Sequence, residues 1–95
     1  MSSPLTPEEQ QVVAKFTDDQ GRLHTLPSKR SKLLVVLDHV AQAFELGRTY
    51  PEAEVNEMLL RYHPDVAALR RYLVEAQLMD RRDNVYWRIG GTVDV

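Results

Sequence analysis

The stretch PEAEVNEMLLRYHPDVAALRRYLVEAQLMDRRDNVYWRI, residues 51–89, decides the fold because its hydrophobic spacing changes along its length. Val55, Met58, Leu59 and Tyr62 recur at helical spacing, which predicts a helix over about 51–62. Glu52, Glu54 and Glu57 crowd its first turns, where negative charge complements the helix dipole. His63-Pro64 ends it, and Asp65 is placed to cap a further helix reaching about Gln77, with Val66, Leu69, Leu73 and Ala76 on its inward face. Beyond that, Val85, Trp87 and Ile89 alternate with Tyr86 and Arg88, the period of a half-buried strand. That phase puts Trp87 in the core, and a polar turn at Arg81 to Asn84 separates the strand from Leu78 and Met79. Helix, short turn, helix and hairpin is the order of a winged-helix domain. Residues 65–77 then stand in the recognition-helix position, with Arg81 to Asn84 at the wing tip.

Upstream, Leu33, Val36, Leu37, Val40, Ala41 and Phe44 fall on one helical face, predicting a helix from Ser28 to Leu46 stopped by Gly47. Thr6, Pro7 and Glu9 carry the pattern of a capping box, so an accessory helix is expected over about 7–15. DDQG at 18–21 breaks it, and GRLHTLP reads as a short extended stretch. The expectation is an α+β, winged-helix-like fold of about four helices with a C-terminal β-hairpin wing. It occupies residues 6–89 as a single domain, with flexible tails at 1–5 and 90–95.

At 95 residues, 43% hydrophobic and 27% charged, the chain has the composition of one globular domain. It has no cysteine, which excludes disulfides and thiolate metal sites. The longest apolar run, LLVVL at 33–37, is too short to span a bilayer, so no membrane association is expected and a cytoplasmic location is the default. The net charge of -2 counts against a generally basic nucleic-acid binder. Residues 28–50 nevertheless hold Lys29, Arg30, Lys32 and Arg48 against Asp38 and Glu45, so any nucleic-acid contact needs a local face.

The segments FTDDQGRLHTLPSKRSKLLVVLDHVAQAFELGRTY, PEAEVN, HPDVAALRRYLVEAQLMDRR and VYWR resemble a bacterial family catalogued as a domain of unknown function. The resemblance covers about residues 16–88. Its most specific parts are E-x-E-V-N at 52–56, D-x-x-x-L-R-R-x-L-V at 65–74 and Tyr86-Trp87-Arg88. Pro51 departs from it, since the family tends to place serine or threonine there as a helix cap. The resemblance implies a small bacterial protein of regulatory flavour, found alone or fused to ArsR-type winged-helix regulators or GNAT acetyltransferases. It names no substrate.

The arginines of 65–82 separate by geometry. At about 100° per residue, Arg70 falls on the flank of the buried stripe and Arg71 points outward beside Ala67, Ala68 and Glu75. Arg70 is therefore expected to be structural, its methylenes over the core and its charge paired with Glu54 or Glu57. Asn56 is expected to hydrogen-bond locally at the helix-turn-helix corner, and Asp65 and Trp87 complete the structural set. Candidate phosphate contacts are Arg71, Arg81 and Arg82, the last two flanked by Asp80 and Asp83, together with Lys29, Arg30 and Lys32. Those last three oppose the dipole of their own helix and could hold an anion there. An outer face of Ala67, Ala68, Arg71, Val74 and Glu75 offers little for base readout.

No pair of histidines stands at metal-ligand spacing, and no nucleophile elbow or phosphate loop is present. No catalytic residue, metal or cofactor is expected. The resulting expectation is a non-catalytic, DNA-associated regulatory module with double-stranded DNA as partner. The alternative is a protein-interaction module that docks a transcription regulator or a second copy of the chain.

Overall fold

In the computed structural model, which describes residues 6–91, the chain order is α1 (Pro7–Phe16), α2 (Arg30–Ala41), β1 (Thr49–Pro51), α3 (Glu52–Leu60), α4 (Val66–Glu75), β2 (Met79–Arg82) and β3 (Val85–Arg88). This is the expected α+β, winged-helix-like arrangement. The two strands after α4 form the wing, and β1 adds to its far side, giving an antiparallel sheet of order β1-β3-β2. Residues 1–5 and 92–95, most of the two expected tails, lie outside the described residues.

The helix starts follow their caps. Thr6 accepts the Glu9 N–H at 3.2 Å and Glu9 accepts the Thr6 N–H at 3.0 Å, the reciprocal pair of a capping box. Asp65 accepts the Ala68 N–H at 3.1 Å at the start of α4. Two helices start without a side-chain cap, α2 at Lys29 and α3 at Pro51. For α3 the first amide is satisfied from elsewhere, because the Glu52 N–H donates to the Asn84 carbonyl of the wing turn at 2.8 Å. The helix that begins with an uncapped proline is thereby tied to the wing.

Four expectations are corrected. The helix expected over Ser28–Leu46 spans only Arg30–Ala41. Tight turns then carry Phe44 into the core at 1% exposure and leave Leu46 outside, so the apolar pattern outlasts the helix. Strand β1 was not expected, since three residues with only Tyr50 buried show no alternation to read. The extended stretch at GRLHTLP amounts to a lone bridge between Thr17 and Leu23. Finally, Arg81 and Arg82 belong to β2 and not to the turn, which is Asp83-Asn84 alone. Both turn residues have positive φ (53° and 65°), as a two-residue hairpin turn matching strand twist requires.

That turn sets the register, pairing Arg82 with Val85, Arg81 with Tyr86 and Met79 with Arg88. The inward face of the sheet is therefore Tyr50, Met79, Tyr86 and Arg88, and Trp87, expected in the core, lies half-exposed on the other face. Arg88 accounts for the misplaced phase. An inward arginine looks forbidden by composition, yet its guanidinium donates from Nε to the Gly90 carbonyl at 2.8 Å and from Nη1 to the Phe44 carbonyl at 3.2 Å. A buried charge with such partners is tolerable.

The connection from α4 to the wing is equally tight. Gln77 takes a left-handed conformation (φ 60°), its N–H donates to the Val74 carbonyl, and the Leu78 N–H donates to the Leu73 carbonyl. These are the bonds of a Schellman ending. A Cβ placed on Gly90 would lie 2.7 Å from the Gln77 carbonyl oxygen, so this ending requires glycine beside it. The core beneath is one cluster in which Val36, Leu37, Val40, Val55, Leu59, Leu69 and Leu73 are each at most 1% exposed.

Two outcomes follow. Tyr86→Ala should cost about 3–5 kcal/mol in urea unfolding, whereas Trp87→Ala should cost about 1–2 kcal/mol; the opposite order would restore the other strand phase. His39 sits half-buried in α2, its ring edge-on to Tyr62 with centroids 6.1 Å apart. Burial lowers its pKa from the ordinary 6.5, outweighing the opposing pull of Asp38. The unfolded chain thus takes up this proton first as pH falls. The stabilisation is complete above about 6.5 and is lost as pH drops toward the folded-state value. His39→Gln should flatten the stability profile in that window.

Candidate nucleic-acid interface

The site is built on the two ends of the expected recognition unit, the outer side of α4 and the wing. Antiparallel pairing gives partners a common face, so Arg81 shares the inward face with Tyr86 while Arg82 shares the opposite face with Val85. The adjacent arginines therefore point to opposite sides of the wing. Arg81 turns toward α4, and Arg82 is 84% exposed beside Asp83 at 4.0 Å.

Between α4 and the wing lies a cleft of about 150 Å³. Helix α4 lines it with Ala67, Arg70, Arg71, Val74 and Glu75, and the wing with Arg81 and Tyr86. A hydrogen-bonded chain runs behind it. The Tyr86 hydroxyl, on a residue only 1% exposed, donates to Glu52 Oε1 at 3.0 Å and accepts from Arg81 Nη1 at 3.4 Å. Glu52 also receives Arg70, whose Nε stands 3.7 Å from the same carboxylate oxygen, and Arg70 Nη1 donates to Asn56 Oδ1. Glu52 and Asn56 are one helical turn apart on α3, so one face of that helix holds both α4 and the wing.

Arg70 is largely buried between α3 and α4, with partners other than those expected. It takes Glu52 and Asn56 in place of Glu54 or Glu57, and Asn56 reaches across to α4 instead of bonding within its own corner. Glu54 pairs with Arg48 at 3.3 Å, a half-exposed contact worth little. Arg71 behaves as expected, 63% exposed and 3.9 Å from Glu75, with its guanidinium also over the Tyr72 ring at 5.1 Å.

Arg81 is the cation of the cleft that lacks a carboxylate within ion-pair distance among the described residues. The hydrogen bond to Tyr86, with Glu52 behind it, pushes its pKa further above the ordinary arginine value. Like any arginine it is charged at physiological pH.

The second basic group stands apart. Lys29 is the N-cap of α2 and Arg30 its first residue, and Lys29 and Lys32 border a hollow with Phe16 and Leu26. That hollow shares no residue with the α4–wing cleft. None of the three cations pairs with a carboxylate among the described residues, so their opposition to the helix dipole goes unanswered.

Tyr86 and Glu52 are the residues whose part in the site the sequence did not suggest, although both lie in the motifs of the family resemblance. A two-residue reading of the Asp83-Asn84 turn would have paired Tyr86 with Arg81 and turned it inward. Nothing in the sequence marks Glu52 over its neighbours. Among the described residues no three His, Asp or Glu side chains gather as a metal ligand set, and no helix is long and apolar enough to cross a membrane.

A family model described as an uncharacterized protein conserved in bacteria (DUF2087) matches residues 22–88, and the chain belongs to that family. Comparison with curated proteins and comparison with solved structures each give no match.

Proposed function

Starting from this bacterial family and from a winged-helix-like frame with arginines on its exposed elements, we propose that the protein is a non-catalytic, DNA-associated regulatory module. The observation that carries the reading is the gathering of Arg71 and Arg81 between α4 and the wing, with Arg82 on the wing's other face. In winged-helix proteins these two elements meet the groove and the flanking phosphates. Arg71, Arg81 and Arg82 contact phosphates on this reading, and Lys29, Arg30 and Lys32 form a second anchor. Ala67 and Val74 offer no hydrogen bonds to base edges, so binding is sequence-tolerant. The resemblance to chains fused to ArsR-type regulators supports the same reading.

A second reading has its own support. The outer side of α4 mixes Ala67 and Val74 with a neutralised Arg71–Glu75 pair, a surface suited to a protein partner such as a regulator or a second copy. Fluorescence anisotropy of a labelled random-sequence duplex across a salt series separates the two. DNA binding predicts a dissociation constant of about 1–100 μM that weakens steeply with salt, with Arg71→Ala and Arg82→Ala each lowering the salt slope by about 1. No binding at about 50 mM salt overturns the reading. Salt-tolerant self-association that fails with Val74→Asp would favour the second.

A further inference from the structure

We propose that the cleft between α4 and the wing is a binding site for a small monocarboxylate with an apolar body. The argument rests on charge and shape together. Three guanidinium groups line the cleft against the single carboxylate of Glu75, in a chain whose net charge is -2. Arg70 donates from Nη1 to Asn56 and faces Glu52 in an ion pair of 3.7 Å that leaves its buried Nε without a hydrogen bond. Arg71 is held only by an exposed contact of 3.9 Å, and Arg81 has only a 3.4 Å hydrogen bond to a phenol.

That leaves one guanidinium without a carboxylate partner and one whose partner is exchangeable, and a single guanidinium can take a carboxylate through parallel N–H donors. A second negative charge on the ligand would meet Glu75 at the cleft and Glu52 behind Tyr86, which disfavours a dianion. Ala67 and Val74 supply the apolar wall for the body of the ligand. A volume of about 150 Å³, below the range of ordinary ligand pockets, suits a fragment-sized molecule.

The site does not depend on DNA binding. Should the DNA reading hold, an occupant would neutralise Arg71 and Arg81 and weaken the grip on phosphate.

Two-dimensional amide NMR on the full chain tests it, with benzoate as the probe at constant ionic strength, and benzamide and inorganic phosphate as comparisons. Benzoate should give saturable shifts clustered at Ala67, Arg71, Val74, Arg81 and Tyr86 below about 10 mM. Arg81→Met should weaken binding about tenfold or more, and Arg61→Met, which removes an equal charge outside the cleft, should leave it unchanged. No saturable shift, equal binding of benzamide, or phosphate binding in preference to benzoate would each overturn the proposal. Adding duplex DNA to the same samples separates the two ideas: benzoate binding without DNA binding defeats the DNA reading alone, and the reverse defeats this one alone.

Discussion

The hydrogen bond from the Tyr86 hydroxyl to Glu52 joins the wing to the helix pair, and the candidate site is built around it. Tyr86 enters the core from the middle strand, so its ring fixes which face of the hairpin turns inward. Its hydroxyl ends beside the first residue of α3, where a carboxylate is already favoured by the helix dipole. The same carboxylate faces Arg70 of α4. One acidic side chain thus meets both walls of the cleft, supported by the backbone bond from the Glu52 N–H to the wing turn.

This arrangement explains how an acidic chain can carry a basic hollow. Three of the exposed arginines are offset locally, Arg48 by Glu54, Arg71 by Glu75 and Arg82 by Asp83. Pairs so exposed contribute little to stability, and their partners exchange readily. Arg81 differs because the pleat turns it inward, toward a hydroxyl instead of a carboxylate. The cleft therefore keeps a charge that these three paired arginines do not.

Much of the frame was legible because it rests on strong local signals. The capping box at Thr6, the Asp65 cap and the periodic stripes of α2, α3 and α4 each act over one or two turns of chain. Features set by distant partners were not. The phase of β3 depends on a buried arginine whose acceptors are carbonyls of Phe44 and Gly90, the first 44 residues away. The partner of Arg70 depends on how α3 and α4 cross, and three acids of the same helix, Glu52, Glu54 and Glu57, look equivalent until that crossing is known. Strand β1 is too short to announce itself and exists because β3 is there to pair with it.

The coupling between wing and helix pair can be measured directly by a double-mutant cycle of Tyr86→Phe and Glu52→Gln in urea unfolding. Both substitutions nearly keep side-chain volume; Tyr86→Phe removes the donor, and Glu52→Gln removes the charge while leaving a neutral acceptor, so the cycle reads the charge-assisted part of the bond. The account predicts a coupling energy of about 1 kcal/mol or more between the two positions. Additivity within about 0.3 kcal/mol would contradict it, showing that the wing is held by packing alone.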